Sequence, residues 1–169
     1  MSIAPLAPIS VFEEAQDKAR AAAGAMLPLV AYTLHAQFPA AAVLVVKRSA
    51  YEEDYDELEL DSIRAADGKI VWSFAVRGAE WLPAVPEDIA ALWGSHDPRA
   101  PDSVLELLQR VENTAPYAFL SFLAPEAMHG GEENAERTLL GIPLAPSVCP
   151  LHGAKCPPQD RAEPPTPVD

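Results

Sequence analysis

The sequence is poor in cysteine and in basic residues. Only two cysteines, Cys149 and Cys156, occur among its 169 residues, and this number excludes a disulfide framework as the basis of the fold. Lysine and arginine together number 12 against 25 acidic residues, which gives a formal net charge of -13. A surface this acidic repels phosphate backbones and anionic lipid head groups. We therefore expect no nucleic-acid or membrane partner, and either a basic protein partner or a partner that is not selected by charge. The high net charge also favours solubility.

Motifs for nucleotide binding, hydrolysis and export are also missing. The sequence has neither Gly-x-Gly-x-x-Gly nor a Walker lysine motif, so a phosphate group would lack its usual cradle of backbone amides. Ser121 lacks the Gly-x-Ser-x-Gly elbow that exposes a nucleophile. The first eight residues carry no lysine or arginine and are broken by prolines, unlike a signal peptide. These absences predict a cytoplasmic protein with no catalytic residues and no cofactor.

The most regular pattern is typical of three antiparallel strands. Residues 43–48 form a short apolar run that ends in charge, and residues 57–64 carry three large apolar side chains between acidic ones. In residues 69–76 a large apolar side chain recurs at every second position. A period of two with one apolar face predicts a strand that is buried on one side. The predicted core residues are Trp72, Phe74, Ile70 and Leu60, with Val76 on the same face as Trp72.

Asp67-Gly68 predicts the turn between the second and third strands. A type I′ turn needs positive φ at both central positions, and Asp-Gly is among the pairs that adopt it most readily. A two-residue turn here pairs Ile63 with Trp72, but it also directs the leucines of the second strand to the opposite face. We therefore predict a bulge near Asp61-Ser62, which returns those leucines to the core side.

A long apolar stripe at helical spacing precedes the strands. Ser10 and Glu13 match a capping box, which predicts a helix beginning at Val11. Pro28 interrupts its middle, so either one kinked helix or two joined helices would fit. The stripe keeps its phase across the proline, which favours one kinked helix that ends at Phe38-Pro39. The stripe consists of Phe12, Ala15, Ala19, Ala22, Met26, Val30 and Leu34.

Further helices are expected after the strands. A proline followed by two acidic residues predicts a helix over residues 86–93, and residues 102–112 have a broad apolar face typical of another. Residues 117–123 favour a buried strand, with a short helix as the alternative, and residues 132–140 predict a short helix ending at Gly141. The predicted fold is α+β, with a kinked N-terminal helix packed on a three-stranded antiparallel meander and at least two helices after it.

The sequence predicts one folded domain between two irregular segments. Residues 1–9 precede the domain, which spans residues 10–142. Residues 143–169 are rich in proline and are predicted to lack regular structure.

A candidate zinc site lies in this last segment. Thiolates and imidazole at short spacing suit zinc, but three local ligands are one fewer than a structural site needs, so incidental thiols are the alternative. The candidate zinc ligands are Cys149, His152 and Cys156.

Two other patterns indicate binding sites. The acidic run over residues 52–61 is a candidate contact surface for a basic protein, as in an immunity or inhibitor protein, although solvated surface charge is the usual explanation of such a run. Its candidate contacts are Glu52, Glu53, Asp54 and Glu57. The second site is a pocket near Trp81, His96 and His129, where an aromatic residue between proline-flanked segments could close a groove. That pocket would instead make the protein an enzyme or a small-ligand binder.

Overall fold

The computed structural model describes residues 8–49, 58–77, 80–115, 121–122 and 137–144. These residues form an α+β fold, so the predicted class is confirmed. The sheet has five strands, two more than the predicted meander, and one of the two lies within residues 117–123, where a strand was favoured. The elements in chain order are α1 (Pro8–Gln37), β1 (Ala41–Ser49), β2 (Leu58–Ala65), β3 (Ile70–Ser73), α2 (Phe74–Arg77), α3 (Glu87–Leu92), α4 (Pro101–Thr114), β4 (Ser121–Phe122) and β5 (Arg137–Pro143).

The strands form one antiparallel sheet in the order β3-β2-β1-β5-β4. The predicted meander is confirmed in β1, β2 and β3, and β5 pairs with the other edge of β1. The short helix predicted over residues 132–140 is wrong from residue 137 onward, because residues 137–143 form β5. Gly141 has the sequence context of a helix cap, but it lies inside the sheet between Val45 and Ser121.

The turn between β2 and β3 differs in type from the prediction. The amide of Gly68 donates to Ala65 O at 3.0 Å and that of Ala65 donates to Lys69 O at 2.9 Å, so the loop has three residues instead of two. Gly68 has a φ of 83°, as in a type I turn followed by a glycine bulge. Asp67 accepts a hydrogen bond from Lys69 N at 3.1 Å. A hydrogen bond from the Lys69 side chain also reaches the Asp67 carboxylate and lowers the pKa of this carboxyl.

The bulge predicted in β2 is confirmed. Val45 pairs with Ser62 and Val46 with Leu60, which leaves Asp61 as the extra residue of β2. The bulge restores the phase of the apolar side chains, because a one-residue shift moves every following side chain to the other face. Leu58 and Leu60 therefore pack with the same core as Ile63.

A second bulge, in β3, was not predicted. Ile63 pairs with Trp72 and Arg64 with Ile70, which leaves Val71 as the extra residue. The longer turn and this bulge offset each other, so the predicted pairing of Ile63 with Trp72 is confirmed. The bulge also turns Ile70 away from the face that carries Trp72. Ile70, predicted as a core residue, is consequently 56% exposed.

Helices cover one face of the sheet and enclose the core with it. Trp72 and Phe74 are buried there, and Leu60 is partly buried against the same cluster. β3 ends at Ser73 and α2 begins at Phe74, so the predicted third strand is too long and Val76 is exposed. The central core side chains are Val30, Leu34, Leu44, Val46, Ile63, Val104, Leu108, Leu140 and Ile142.

α1 is a single helix of 30 residues that contains Pro28. One helix instead of two is therefore confirmed, as is its end before Phe38. The predicted start at Val11 is wrong, because the chain is already helical at Pro8. Proline is favoured in the first turn of a helix, where its missing N–H costs nothing. In the described part of the chain, no helix combines the length and apolar character needed to cross a membrane.

α3 and α4 agree with the prediction. Pro86 precedes the first residue of α3, and Gly94, with a φ of 62°, follows its last turn. α4 begins with Pro101 at its first position and extends slightly beyond the predicted residues at both ends. Both helices therefore begin at the local signal that proline provides, and α3 ends at the signal that glycine provides.

Two glycines should respond in opposite ways to alanine. Gly24 lies within α1, and a β-carbon there would meet no atom within 4 Å. Alanine is favoured over glycine in a helix interior by about 1 kcal/mol, so Gly24→Ala should raise the melting temperature by about 2–4 °C. Gly68 is equally open, but its φ of 83° disfavours alanine, so Gly68→Ala should lower it. Thermal unfolding followed by circular dichroism measures both, and a lower melting temperature for Gly24→Ala would contradict the helical assignment.

Candidate functional site

Most of the site residues predicted from the sequence lie outside the described residues. These are the candidate zinc ligands Cys149, His152 and Cys156, the candidate partner contacts Glu52, Glu53, Asp54 and Glu57, and His129. Residues 1–7 and 145–169 lie outside as well, whereas Pro143 ends β5 and Leu144 is fully buried. Within the described part, no group of three or more His, Cys, Asp and Glu side chains could hold a metal ion. The structure therefore bears on one predicted site, the pocket near Trp81 and His96.

An open groove of about 420 Å³ lies beside α3, at the chain segment that leads into α4. His96 is one of its lining residues, whereas Trp81, which was expected to close the groove, is not. Polar and small apolar side chains both line it. The groove is large enough for a small ligand, but it is not the enclosed cleft that ligand sites usually provide. Its lining residues are Ala84, Val85, Ala90, Ser95, His96, Asp97, Pro98 and Arg99.

α1 fixes the chain on both sides of this groove. Gln37 Nε2 donates to Pro83 O at 2.8 Å and to Pro98 O at 3.0 Å. Trp93, at the end of α3, donates from Nε1 to Thr33 Oγ1 at 2.9 Å. A buried polar group costs free energy unless it is hydrogen-bonded, so these bonds hold the two segments in one arrangement. The groove is therefore preformed.

Two basic side chains give the groove its chemistry. The guanidinium carbon of Arg99 lies 5.5 Å from the centre of the Trp81 ring, within the range of a cation–π contact. His96 Nδ1 lies 3.6 Å from Glu106 Oε2. Among the described residues, no carboxylate forms an ion pair with the Arg99 guanidinium, but the Asp97 carboxylate also lines the groove and accepts a hydrogen bond from Arg99 N at 2.8 Å. The groove therefore carries charges of both signs, and its described residues provide no activated nucleophile.

Buried charges occupy the sheet face opposite the helices. Lys47 Nζ lies 2.7 Å from Asp61 Oδ1, and Arg64 approaches Asp61 Oδ2 at 3.6 Å. Ser62 Oγ donates to the same Oδ2 at 2.8 Å and accepts from Arg64 Nε at 3.0 Å. The acidic run predicted as exposed surface thus ends in a buried ion pair. Asp61 is therefore held by side chains of the sheet.

The first half of α1 is a second candidate site, and it extends past the sheet on which the second half of the helix packs. Every residue from 8 to 22 is exposed, and Ile9, Val11 and Phe12 expose 71%, 50% and 62% of their surface. The cause is length: 30 helical residues span about 45 Å, whereas the nine residues of β1 span about 30 Å. Residues 8–22 are called the projecting segment below.

The projecting segment continues the apolar stripe that packs in the core. At 100° per residue, Phe12, Ala15 and Ala19 fall in the same sector of the helix as the buried Val30 and Gln37. The stripe packs on the sheet in the second half of α1 and is exposed in the first half. An isolated helix of this length is marginally stable in water, so a molecule that covers the stripe would stabilise it.

Sequence reasoning found the stripe but missed two residues that position the groove. Thr33 and Gln37 lie in phase with the buried Val30 and Leu34. A polar side chain within an apolar helical stripe is a signal of a buried hydrogen bond, because a buried polar group needs a partner. That signal indicates an anchoring role, but it does not identify the carbonyls that Gln37 contacts.

Comparisons of the chain with protein-family models, with curated proteins and with solved structures each found no match. No relative therefore informs its function, and the structural evidence for a function comes from the projecting segment and the groove.

Proposed function

We propose that this protein acts by binding another protein chain, without catalysis, and that the projecting segment is its contact surface. The observation that supports this proposal is the apolar stripe of Phe12, Ala15 and Ala19, exposed in phase with the stripe that packs in the core. Amphipathic helices are recognised through anchors at such spacing. Contiguous exposed apolar surface on a folded domain marks an interaction site more often than an isolated apolar residue does.

The energetics favour contact at the outer end of α1. Full burial of a large apolar side chain contributes about 1.5–3 kcal/mol, and Ile9 and Phe12 both have most of their surface available. The segment is continuous with the anchored half of α1, so the helix is already nucleated before a partner arrives. A preformed helix lowers the ordering cost of binding.

The groove near Trp81 and His96 supports the alternative of an enzyme or a small-ligand binder less well. It is open, and the described residues place no activated nucleophile in it. The predicted contact of Glu52, Glu53, Asp54 and Glu57 with a basic protein lies outside the described residues and stays a prediction.

Photo-cross-linking in the source cells tests the proposal. A benzophenone amino acid in place of Phe12 should yield a covalent protein adduct, because this side chain lies at the centre of the proposed contact. The same amino acid at Val76, which is 85% exposed on α2, is the matched control and should yield much less. Equal yields at both positions, or no adduct from position 12, would contradict a contact at the projecting segment.

A further inference from the structure

We propose that the partner of the projecting segment is a second copy of this chain, and that two copies pair their projecting segments in antiparallel orientation. This inference rests on the proposed function, since it names the partner for the same surface. Three features carry it: the local charge balance, the distribution of charges around the helix and the size of the side chains in the stripe.

The projecting segment is nearly neutral although the chain is strongly acidic. It holds Glu13, Glu14 and Asp17 against Lys18 and Arg20, a net charge of -1 within a chain of -13. A basic partner would gain little from so balanced a surface. Two copies of the chain repel each other over most of their surface, and the repulsion is weakest where the local charge is near zero. The projecting segment is therefore suited to contact between copies.

The positions of the charges select the antiparallel orientation. On a helical projection, Glu13 and Arg20 lie on one side of the apolar stripe, and Glu14 and Lys18 lie on the other. In a two-fold antiparallel pair, each side of one helix faces the same side of the other. With the midpoint of the pair between residues 16 and 17, Glu13 then faces Arg20 of the second copy, and Glu14 lies one residue from the position opposite Lys18 of the second copy, which its side chain can still reach. A parallel pair would bring like charges together.

Four of the five charged side chains already have partners within the helix, and these partners are easily exchanged. Lys18 Nζ lies 2.7 Å from Glu14 Oε1, and Arg20 NH1 lies 3.5 Å from Asp17 Oδ1. All four side chains are more than half exposed, and ion pairs of this kind contribute little to stability. Replacing them by pairs between two copies therefore costs little.

The same register brings a large side chain against small ones. The midpoint of the pair lies between residues 16 and 17, so Phe12 of one copy packs between Ala19 and Ala22 of the other. The alanines let the two helices approach closely while the two phenyl rings fill the ends of the contact. The segment is about 22 Å long, so the contact is small for a specific interface. We therefore expect the dimer to have a dissociation constant in the micromolar range.

Analytical ultracentrifugation of the full-length protein tests the inference. We expect a reversible monomer–dimer equilibrium, and Phe12→Glu should weaken it at least tenfold because a charge would enter the apolar seam. Val76→Glu adds the same charge at an exposed site on α2 and should leave the equilibrium unchanged. A protein that is monomeric at several hundred micromolar, or a dimer unaffected by Phe12→Glu, would overturn the proposal.

Charge reversal tests the orientation. Glu13→Arg alone should weaken the dimer, since it would face Arg20 of the second copy, and the double variant Glu13→Arg with Arg20→Glu should restore it. No rescue by the double variant overturns the antiparallel register. The cross-linking experiment separates the two proposals. If position 12 forms an adduct with a different protein and the purified chain is monomeric, pairing between copies is refuted and the proposed function still stands.

Discussion

Trp72→Ala should lower the free energy of unfolding by about 3–5 kcal/mol, the usual cost of truncating a large buried aromatic side chain. Trp72 is 9% exposed, and its ring centre lies 5.3 Å from that of Phe38 at an angle of 53°. The guanidinium carbon of Arg77 lies 4.4 Å from the same ring. β3 is an edge strand of four residues, so Trp72 is a main connection between this edge and the end of α1.

A conservative variant separates packing from hydrogen bonding at this position. Trp72 Nε1 is buried and has no hydrogen-bond partner among the described residues, so Trp72→Phe removes an unsatisfied donor together with part of the ring. We expect it to cost about 1–2 kcal/mol, less than alanine, because most of the contact area remains. Equilibrium unfolding in urea measures both variants. A loss below about 1 kcal/mol for Trp72→Ala would mean that this face of β3 is not part of the core.

Glu112→Ala should destabilise the protein by about 3 kcal/mol, because it breaks a buried ion pair. Glu112 lies near the end of α4 and pairs with Arg48 of β1, and the two side chains are only 12% and 11% exposed. Arg48 alternates with Leu44 and Val46 on the core-facing side of β1. Without this carboxylate, a buried guanidinium loses a counter-charge while its desolvation cost remains.

Two control variants distinguish this cause from a general effect of changing α4. Glu106→Ala removes another carboxylate of α4, one that pairs with Arg110. Because the side chains of Glu106 and Arg110 are 48% and 58% exposed, we expect the free energy of unfolding to fall by at most about 1 kcal/mol. The double variant Arg48→Met with Glu112→Leu replaces both charges by apolar groups and should be more stable than Glu112→Ala. Urea unfolding curves measure all three, and equal losses for Glu106→Ala and Glu112→Ala would refute the role of burial.

The meander could be predicted because its signals are local. The Asp67-Gly68 turn and the apolar side chains at every second position around Trp72 indicate two neighbouring strands without knowledge of the rest of the chain. The alternation over residues 69–76 does not reveal that β3 ends at Ser73 or that a bulge turns Ile70 outward. β5 could not be predicted in the same way. Its residues carry a short apolar run that ends near Gly141, which fits a helix end as well as a strand. The pairing with β1 that decides between them comes from a distant part of the sequence.

The candidate site likewise combines features that local sequence patterns predict with features that depend on distant parts of the chain. The apolar stripe of α1 follows from helical periodicity, so Phe12 and Ala15 were placed correctly on one face. Their exposure depends on where the sheet ends beneath the helix, which is a tertiary property that no local pattern contains. The hydrogen bonds from Gln37 to Pro83 and Pro98 are tertiary as well. Sequence could therefore predict the element that carries the site, but not the surface that it exposes.

The position of β5 beside β1 also determines the order in which the chain can fold during synthesis. Val45 pairs with Gly141, so this contact waits for about 96 further residues, or about 5–20 s at usual rates of elongation. α1 and the meander can form in that interval, because closing their short loops costs far less entropy. One edge of the nine-residue β1 meanwhile presents unpaired amide and carbonyl groups, which other chains can bind. Translation that stops before residue 137 would leave this edge open permanently and favour aggregation.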